Sequence, residues 1–409
     1  MNSTMLFESA LSIESPWFIK DISFSKENKQ LDIYIDFKKG SKFSIEGLGR
    51  NMKVHDTVEK KWRHLNFFQH ECFLHCRTPR VKSASGKARL ISPPWEGKST
   101  GFTLLFEAFL LQMCKYMPVS NVSEITNVSD DKLWRMLDSY VDLARAEEDY
   151  SNVTAVGIDE TSRRKGHDYI SLFVDLDKKK TIYITEGKSA NTVKDFVKDF
   201  DSHGGCAKKI THASIDMSPA FISGVGKYLP KSQITFDKFH IVKIINKAVG
   251  EVRKAEAIEE PILKDSRYSV LKNKENLTMT QRVKRDEIES KGWLLKTYRA
   301  MRIREFFQEA YNAPDLKSFE KHLYKWYWWA SHSRIEPIKE AARTIKAHWN
   351  GIISWWNGRY NNGILEGLNS LIQSAKSKAR GYRTTKNLKI MAYIITGNLD
   401  FKKINCECR

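Results

Sequence analysis

Two aspartates lie at positions where a folded sheet could bring their carboxylates together. Asp159 follows the apolar run VTAVGI, and Asp216 follows the apolar run ITHASI. Both positions predict a carboxylate at the carboxyl end of a strand, the edge at which α/β sheets place ligand sites. An Asp at a strand end is also a common turn former or helix cap, so one alone would be weak evidence. Two on one small sheet favour a shared site.

A third acid, Glu366, lies on a predicted helix over residues 362–380. The apolar positions of this helix recur at helical spacing and form one stripe: Ile364, Leu365, Leu368, Leu371, Ile372 and Ala375. The opposite face is polar and consists of Glu366, Asn369, Ser370, Gln373, Lys376, Ser377 and Arg380. That face is either solvated, with Glu366 near the positive end of the helix dipole, or packed beside the sheet so that Glu366 meets the two aspartates.

Three carboxylates within a few ångströms of one another would repel strongly, and cations among them would remove that repulsion. Carboxylate oxygens are the ligands that Mg²⁺ and Mn²⁺ prefer. Two such ions about 3.5–4 Å apart activate a nucleophile and stabilise the leaving oxygen in phosphodiester cleavage. We therefore predict that Asp159, Asp216 and Glu366 are the catalytic and metal-binding residues of a two-ion site.

The residues just after Asp159 combine one more acid with three cations. Glu160 is expected to point to the other face of the strand, so it is not counted as catalytic. Arg163, Arg164 and Lys165 are predicted at a hairpin tip, where they form either a solvated turn or a contact to DNA phosphates.

The composition favours a polyanionic partner. The chain has 409 residues, with 68 Lys and Arg against 49 Asp and Glu and a formal net charge of +19. Such an excess points most often to nucleic acid, and a protein that is basic without such a partner is the plainer alternative. The length predicts two or three domains.

Cysteine usage and hydropathy indicate a reducing compartment. The six cysteines are scattered and form no disulfide pattern: Cys72, Cys76, Cys114, Cys206, Cys406 and Cys408. The N-terminal residues lack a basic start followed by an apolar signal core. The apolar stretch 101–117 is too short to cross a membrane and is interrupted by Glu107 and Lys115. We expect a cytoplasmic protein without a membrane segment.

Five segments are predicted along the chain. Residues 1–95 alternate in the manner of strands and form a β-rich N-terminal domain. Residues 96–150 are helical and form a helix-turn-helix-like unit. Residues 151–244 carry the order βββαβαβ of a mixed α/β sheet, whose first three strands form an antiparallel meander. Residues 245–350 are helical and rich in tryptophan, and residues 351–409 add a further helix.

The helix-turn-helix-like unit leaves two interpretations open. As a DNA reader, it would place its second helix in a major groove. Packed helix pairs are also a common core device, and Asp130 and Asp131 at the start of the second helix would repel a phosphate backbone.

Taken together, these segments resemble the DDE transposases of bacterial insertion sequences. Among these, the resemblance is to the ISL-three family. The matching segments follow one another in order: VHDTVEKKWRHLNFFQHECFLHCRTPRVK (54–82), GFTLLFEAFLLQMCKYMPVSNVSEI (101–125), VGIDETSRRKGHDYISLFVDLD (156–177), SIDMSPAFISGV (214–225), FDKFHIVK (236–243) and NGILEGLNSLIQSAKSKARGYR (362–383). The resemblance implies an RNase H-like core with Asp159 on its first strand, Asp216 on its fourth and Glu366 on a late helix. It makes residues 245–350 a helical insertion in that core.

The resemblance also implies an activity and partners. The enzyme would bind the terminal inverted repeats of its element, cleave DNA there and join the released 3′-hydroxyl to target DNA. Asp237 and His240, in the segment FDKFH, would support the catalytic acids. Lys376, Arg380 and Arg383 would contact phosphates. The partner would be double-stranded DNA, a homo-oligomer would bring two DNA ends together, and no small-molecule substrate is expected.

In one respect the sequence departs from this family. Members usually begin with a zinc ribbon of paired cysteines, but no such pair lies near residues 42–50 or 80–88. The metal-ligating types that remain nearby are His70, Cys72, His75 and Cys76. They lie in a strand pattern that divides them between two faces, whereas a structural zinc needs four converging ligands. We therefore expect no zinc.

Two alternatives to a transposase remain. One is an RNase H-fold nuclease that cuts DNA without strand transfer, and a joined product would exclude it. The other is a catalytically inactive DNA-binding protein derived from a transposase. The presence of all three acids argues against inactivity.

Overall fold

The chain divides into two compact units, one of residues 1–148 and 372–409 and the other of residues 149–371. The computed structural model describes residues 3–47, 49–82, 86–99, 101–164, 168–358 and 363–408. In this described part, no helix combines the length and the apolar character that a membrane span requires.

The first unit begins with a short helix and a six-stranded mixed sheet. Its elements are α1 (Ser3–Ala10), β1 (Trp17–Ser25), β2 (Gln30–Phe37), β3 (Lys42–Ile45), β4 (Gly49–Phe67), β5 (His70–Lys82) and β6 (Ala88–Leu90). The strand order is β1-β2-β5-β4-β3, with β6 paired to β5. Alternation buries every second side chain of β2, among them Leu31, Ile33 and Ile35, which is the pattern that predicted strands here.

Three helices follow the sheet: α2 (Leu104–Tyr116), α3 (Val119–Thr126) and α4 (Asp130–Ala146). The Thr103 side chain accepts a hydrogen bond from the backbone N–H of Phe106 and so caps α2. Pro118 separates α2 from α3, and Asn127, in the left-handed conformation with φ 55°, ends α3. The pair α3 and α4 therefore has the helix–turn–helix shape that the sequence predicted.

The second unit contains a five-stranded sheet and two helices that confirm the predicted order βββαβαβ. Its elements are β7 (Ala155–Arg164), β8 (Asp168–Asp175), β9 (Lys180–Glu186), α5 (Ala190–Ser202), β10 (His212–Ile215), α6 (Pro219–Tyr228) and β11 (Gln233–Phe236). The strand order is β11-β10-β7-β8-β9. β7, β8 and β9 are antiparallel neighbours, whereas β10 runs parallel to both β7 and β11.

Helices cover the rest of the second unit: α7 (Lys238–Glu256), α8 (Arg267–Leu271), α9 (Met279–Lys291), α10 (Lys296–Glu309), α11 (Leu316–Ser331), α12 (Glu336–Ala347), α13 (Trp349–Ile353) and α14 (Trp355–Gly358). The tryptophans here mostly pack. Trp326 is fully buried and donates its indole N–H to the carbonyl oxygen of Ile303 at 3.0 Å. Trp328 is 65% exposed and stacks on His332.

Two helices end the chain: α15 (Gly363–Lys378) and α16 (Thr385–Thr396). α15 begins in the second unit and ends in the first. Its apolar stripe is partly realised, because Leu365 and Ile372 are buried while Leu371 is exposed. α16 lies in the first unit, where the Tyr393 ring stacks beneath the guanidinium of Arg145, 4.7 Å from its centroid.

Candidate active site

Asp159 lies within strand β7 rather than at its end, where the sequence had placed it. The parallel ladder with β10 stops at the pair Gly157 and Ser214. The antiparallel ladder with β8 continues to the pair Arg164 and Asp168. Residues 160–164 look like a turn because they are polar, but their backbone groups pair with β8. Asp159 therefore lies just beyond the last residue of β7 that pairs with β10.

The carboxylate of Asp159 is held by two donors. Its Oδ1 accepts a hydrogen bond from the backbone N–H of Glu160 at 2.8 Å. Its Oδ2 accepts one from Nδ2 of Asn369 at 2.5 Å. Burial raises the pKa of Asp159 to about 6, and the nearby charges of Asp216 and Asp237 act in the same direction. The Glu160 N–H and His240 oppose this shift.

Asp216 and Asp237 occupy the predicted positions, directly after β10 and β11. Asp216 Oδ1 accepts from the backbone N–H of Ser218 at 2.9 Å, as in a turn that opens a helix. Asp237 is buried and caps α7 by accepting from the N–H of Phe239 at 2.9 Å. Nε2 of His240 lies 3.9 Å from Asp237 Oδ2. Parallel neighbouring strands thus bring these acids to one edge of the sheet, near Asp159.

Glu366 lies in the first turn of α15, and its side chain is exposed. Its helix nevertheless packs on the strand of Asp159: Leu365 contacts Gly157, and Asn369 donates to Asp159. Within the described part of the chain, the side chain of Glu366 has no hydrogen bond or ion pair. The same residues contain no group of three or more His, Cys, Asp or Glu arranged to hold a metal ion.

Glu160 and Arg163 are each paired with a neighbouring side chain. Glu160 Oε2 lies 3.6 Å from Nζ of Lys188, and burial raises the pKa of Glu160. Arg163 donates from Nη1 to Asp168 at 3.0 Å. Arg164 is the last residue of β7 and is exposed. Lys165 lies outside the described residues.

The predicted phosphate contacts near the end of α15 lie in the first unit. Arg380, with φ 53°, and Arg383 flank the turn between α15 and α16, and Lys376 is in the last part of α15. Arg383 lines a cleft of about 660 Å³ together with Trp134 and Arg135 of α4. Tyr382 meets the Trp134 ring edge-on, with 6.1 Å between centroids.

Asn369 is the polar residue at this site that the sequence did not single out. It shares the polar face of α15 with Glu366, one turn further along the helix. That spacing was the available signal. An amide on a polar helix face looks like any solvated residue until its partner strand is known.

Comparison with known families adds three matches. The model of the ISL3 transposases, described as "Transposase", matches residues 156–392, more than half of the chain. A model described as "Helix-turn-helix domain of transposase family ISL3" matches residues 91–141. A third, described as "zinc-finger of transposase IS204/IS1001/IS1096/IS1165", matches residues 49–82.

Two curated relatives that are named as transposases match this chain over most of their length. The transposase for insertion sequence element IS1001 of Bordetella parapertussis is 26% identical over 344 residues, which cover 82% of this chain and 84% of the relative. The transposase for insertion sequence element IS1557 of Mycobacterium tuberculosis (strain CDC 1551 / Oshkosh) is 24% identical over 438 aligned residues, which cover 96% of each chain.

The expectation that the N-terminal segment holds no zinc is wrong, because residues 49–82 match a zinc-finger model and so point to zinc binding. That expectation rested on the missing cysteine pairs and on the division of the remaining ligand types between two strand faces, whereas the likeness extends along β4 and β5. The two cysteines of the segment, Cys72 and Cys76, lie on the buried face of β5, and burial raises the pKa of each thiol to about 12. A structural zinc takes four ligands as a rule, with its thiols deprotonated.

The helix-turn-helix match covers α3 and most of α4, and this favours the DNA-reading interpretation of the pair. The transposase match begins on β7 and ends on α16, so it includes Asp159, Asp216 and Glu366. Both curated relatives are named as transposases of insertion sequences. The chain therefore belongs to the ISL3 family of DDE transposases, enzymes that act on DNA.

Proposed function

We propose that the second unit is an RNase H-like catalytic core in which Asp159, Asp216 and Glu366 hold two divalent cations. The strand order supports this: three antiparallel strands lie on one side, and two parallel strands extend the sheet beyond the first of them. In this arrangement β10 ends beside the middle of β7, and β11 ends beside the end of β10. Residues 245–350, which contain most of α7 and all of α8 to α12, then form the helical insertion between the second and third acids.

The observation that carries the proposal is the placement of Asp216 and Asp237 directly after the parallel strands β10 and β11, at the sheet edge near Asp159. The pKa of Asp159 is raised to about 6 by burial first and by Asp216 and Asp237 next. A site with several carboxylate oxygens and unbalanced negative charge suits Mg²⁺ or Mn²⁺, because a divalent cation removes the repulsion and accepts oxygen ligands. The donor chemistry of these residues therefore fits the metal that the family implies.

Glu366 completes the set from a helix that is already docked. The Leu365 contact and the Asn369 hydrogen bond hold the first turns of α15 against β7. The exposed carboxylate of Glu366 is held by no described partner, so it can turn toward a cation that the two aspartates bind. We therefore assign to it the role of third ligand.

The residues around Asp159 would then have separate roles in cleavage at the element's end. The Glu160 N–H and Asn369 fix the plane of the Asp159 carboxylate. Asp237, anchored as the cap of α7, holds His240 beside the acids. When bound, divalent cations supply Lewis-acid activation of the attacking water or 3′-hydroxyl and stabilisation of the leaving oxygen. In-line displacement at phosphorus otherwise requires mainly that the two DNA segments be positioned.

DNA contacts are proposed in both units. In the first unit, α4 would enter a major groove of the terminal inverted repeat, with Arg383 and Arg135 contacting the backbone from one shared cleft. Lys376 and Arg380 would extend that contact. In the second unit, the hairpin cations Arg163, Arg164 and Lys165 would hold DNA near Asp159. Because two element ends must meet, we propose that a homo-oligomer assembles on DNA.

A cleavage and strand-transfer assay tests this function. The substrate is a labelled duplex carrying the inverted repeat that flanks the coding region, with a supercoiled plasmid as target and Mg²⁺ as the cation. We expect Asp159→Asn, Asp216→Asn and Glu366→Gln each to lower the cleavage rate by more than about 100-fold. Loss of a direct metal ligand should exceed the roughly 10–100-fold loss that is typical when only a hydrogen-bond partner of a ligand is removed.

The matched control is Asp195→Asn, which removes an exposed carboxylate of α5 in the same unit and should cleave like the wild type. Plasmid joined to the labelled end identifies a transposase, and cleavage without joining identifies a nuclease. Wild-type cleavage by any one of the three acid variants would contradict the assignment of that residue.

A further inference from the structure

We propose that Asn369 is a positioning residue for this site: its amide orients the Asp159 carboxylate and sets α15, and with it Glu366, in register with β7. The inference rests on the catalytic role proposed above for Asp159. It adds a residue that lies 210 positions away from that aspartate in the chain.

The hydrogen bonds to Asp159 come from two different elements. Oδ1 is bonded to the N–H of the next residue of the strand at 2.8 Å, and Oδ2 is bonded to the Asn369 amide at 2.5 Å. One donor on each oxygen fixes the rotation of the carboxylate about its side chain. Each oxygen keeps a further lone pair, so the orientation is fixed without occupying the ligand positions.

The register of helix and strand follows from two matched contacts. Leu365 packs on Gly157 so closely that a Cβ at Gly157 would lie 2.9 Å from Leu365 Cδ2. Asn369, four residues along the helix, meets Asp159, two residues along the strand. Four residues of α-helix rise about 6 Å, and two residues of strand rise about 6.6 Å. The helix therefore runs alongside the strand with one apolar and one polar point of attachment.

The second polar atom of the amide points to the same site. Oδ1 of Asn369 is buried and accepts no hydrogen bond from the described residues. Buried acceptors are almost always satisfied in proteins. An acceptor next to carboxylates that take a hydrated cation is suited to a water molecule of that cation, since Mg²⁺ keeps several of its waters.

Two substitutions separate positioning from packing. Asn369→Leu keeps most of the side-chain volume but removes the donor, and Asn369→Ala removes both. The readouts are the affinity for Mn²⁺ alone, measured from free Mn²⁺ by electron paramagnetic resonance, and the Mg²⁺ concentration that gives half-maximal cleavage. Thermal unfolding is followed by circular dichroism on the same proteins. Ser370→Ala, an exposed neighbour on α15, is the matched control.

We expect both Asn369 variants to bind Mn²⁺ about 10–100-fold more weakly and to need correspondingly more Mg²⁺, the effect typical of outer-shell partners. Ser370→Ala should match the wild type. If Asn369→Leu bound Mn²⁺ as the wild type does, with only the Ala variant losing thermal stability, Asn369 would be a packing residue and the inference would be overturned.

One further variant distinguishes a failure of this inference from a failure of the proposed function. Asp159→Asn should lose both Mn²⁺ binding and cleavage. If it loses neither, the proposed site itself is wrong. If it loses both while Asn369→Leu keeps both unchanged, only the role of Asn369 is wrong.

Discussion

At the scale of the residue, Asp159 is anchored from two sides. Its strand supplies one donor and α15 supplies the other. Burial and the acids after β10 and β11 raise its pKa to about 6, so the ionised form is held at a cost that a divalent cation would offset. The environment of this single carboxylate therefore favours metal binding.

The adjacent acid is expected to be dispensable. Glu160 follows Asp159 on the strand, where successive side chains point to opposite faces, and its carboxylate faces Lys188 at 3.6 Å. Glu160→Gln should keep the initial cleavage rate within about threefold of the wild type, a difference below 1 kcal/mol in barrier. The rate is measured with the element-end duplex at saturating Mg²⁺.

Asp159→Asn, assayed beside it, serves as the inactive reference for that prediction. A loss of more than about tenfold in Glu160→Gln, or 1.4 kcal/mol, would show that this acid takes part in the reaction.

The sequence indicates the acidic residues of the site more clearly than it indicates the residues that contact them. Asp216 is recognisable because it directly follows a short apolar strand, and Asp237 is indicated by the family resemblance. Asn369 is not, because its role depends on a hydrogen bond across 210 positions that no local pattern encodes. The third acid is identified by its helix and its family resemblance, and its exposed side chain shows that these do not fix its conformation.

At the scale of the element, periodicity predicted the order βββαβαβ because each strand is short, apolar and bounded by polar turns. It failed at the end of β7, where polar residues continue the strand by pairing with β8. The strand is extended there by backbone pairing, which side-chain polarity does not predict. The expectation of no zinc failed on other grounds: it weighed the missing cysteine pairs and the strand alternation, whereas the likeness to a zinc finger extends along β4 and β5.

The docking of α15 on β7 gives a prediction about Gly157. A Cβ there would lie 2.8 Å from Leu176 Cδ2 and 2.9 Å from Leu365 Cδ2, and both leucines are buried. Gly157→Ala should therefore lower the free energy of unfolding by about 1–3 kcal/mol, the range for overpacking. It should also slow cleavage, because one of the two leucines that must move, Leu365, belongs to the helix of Glu366. Urea unfolding and the cleavage assay measure the two effects.

Gly250→Ala is the control for Gly157→Ala. Gly250 lies inside α7, and a Cβ there meets nothing within 4 Å. The change should leave stability unaltered or raise it by up to about 1 kcal/mol, because Ala favours a helix over Gly. Equal stability of the two variants would contradict close packing at Gly157.

At the scale of the whole molecule, an excess of positive charge accompanies a locally acidic site. The net charge of +19 attracts the DNA backbone, and the cluster around Asp159 is the place where that backbone would meet cations. With the proposed roles, a helix-turn-helix in one unit and the acids in the other would divide recognition from chemistry. This division is what an enzyme needs if it must identify one DNA end and then cut it.

The most direct test of the central claim is the anomalous scattering of Mn²⁺ in crystals of the protein bound to its element-end duplex. We expect Mn²⁺ peaks within bonding distance of carboxylate oxygens of Asp159 and Asp216, with Glu366 turned inward as a third ligand. Mn²⁺ bound without Asp159 and Asp216, or an ordered site from which Glu366 stays turned away, would contradict the account.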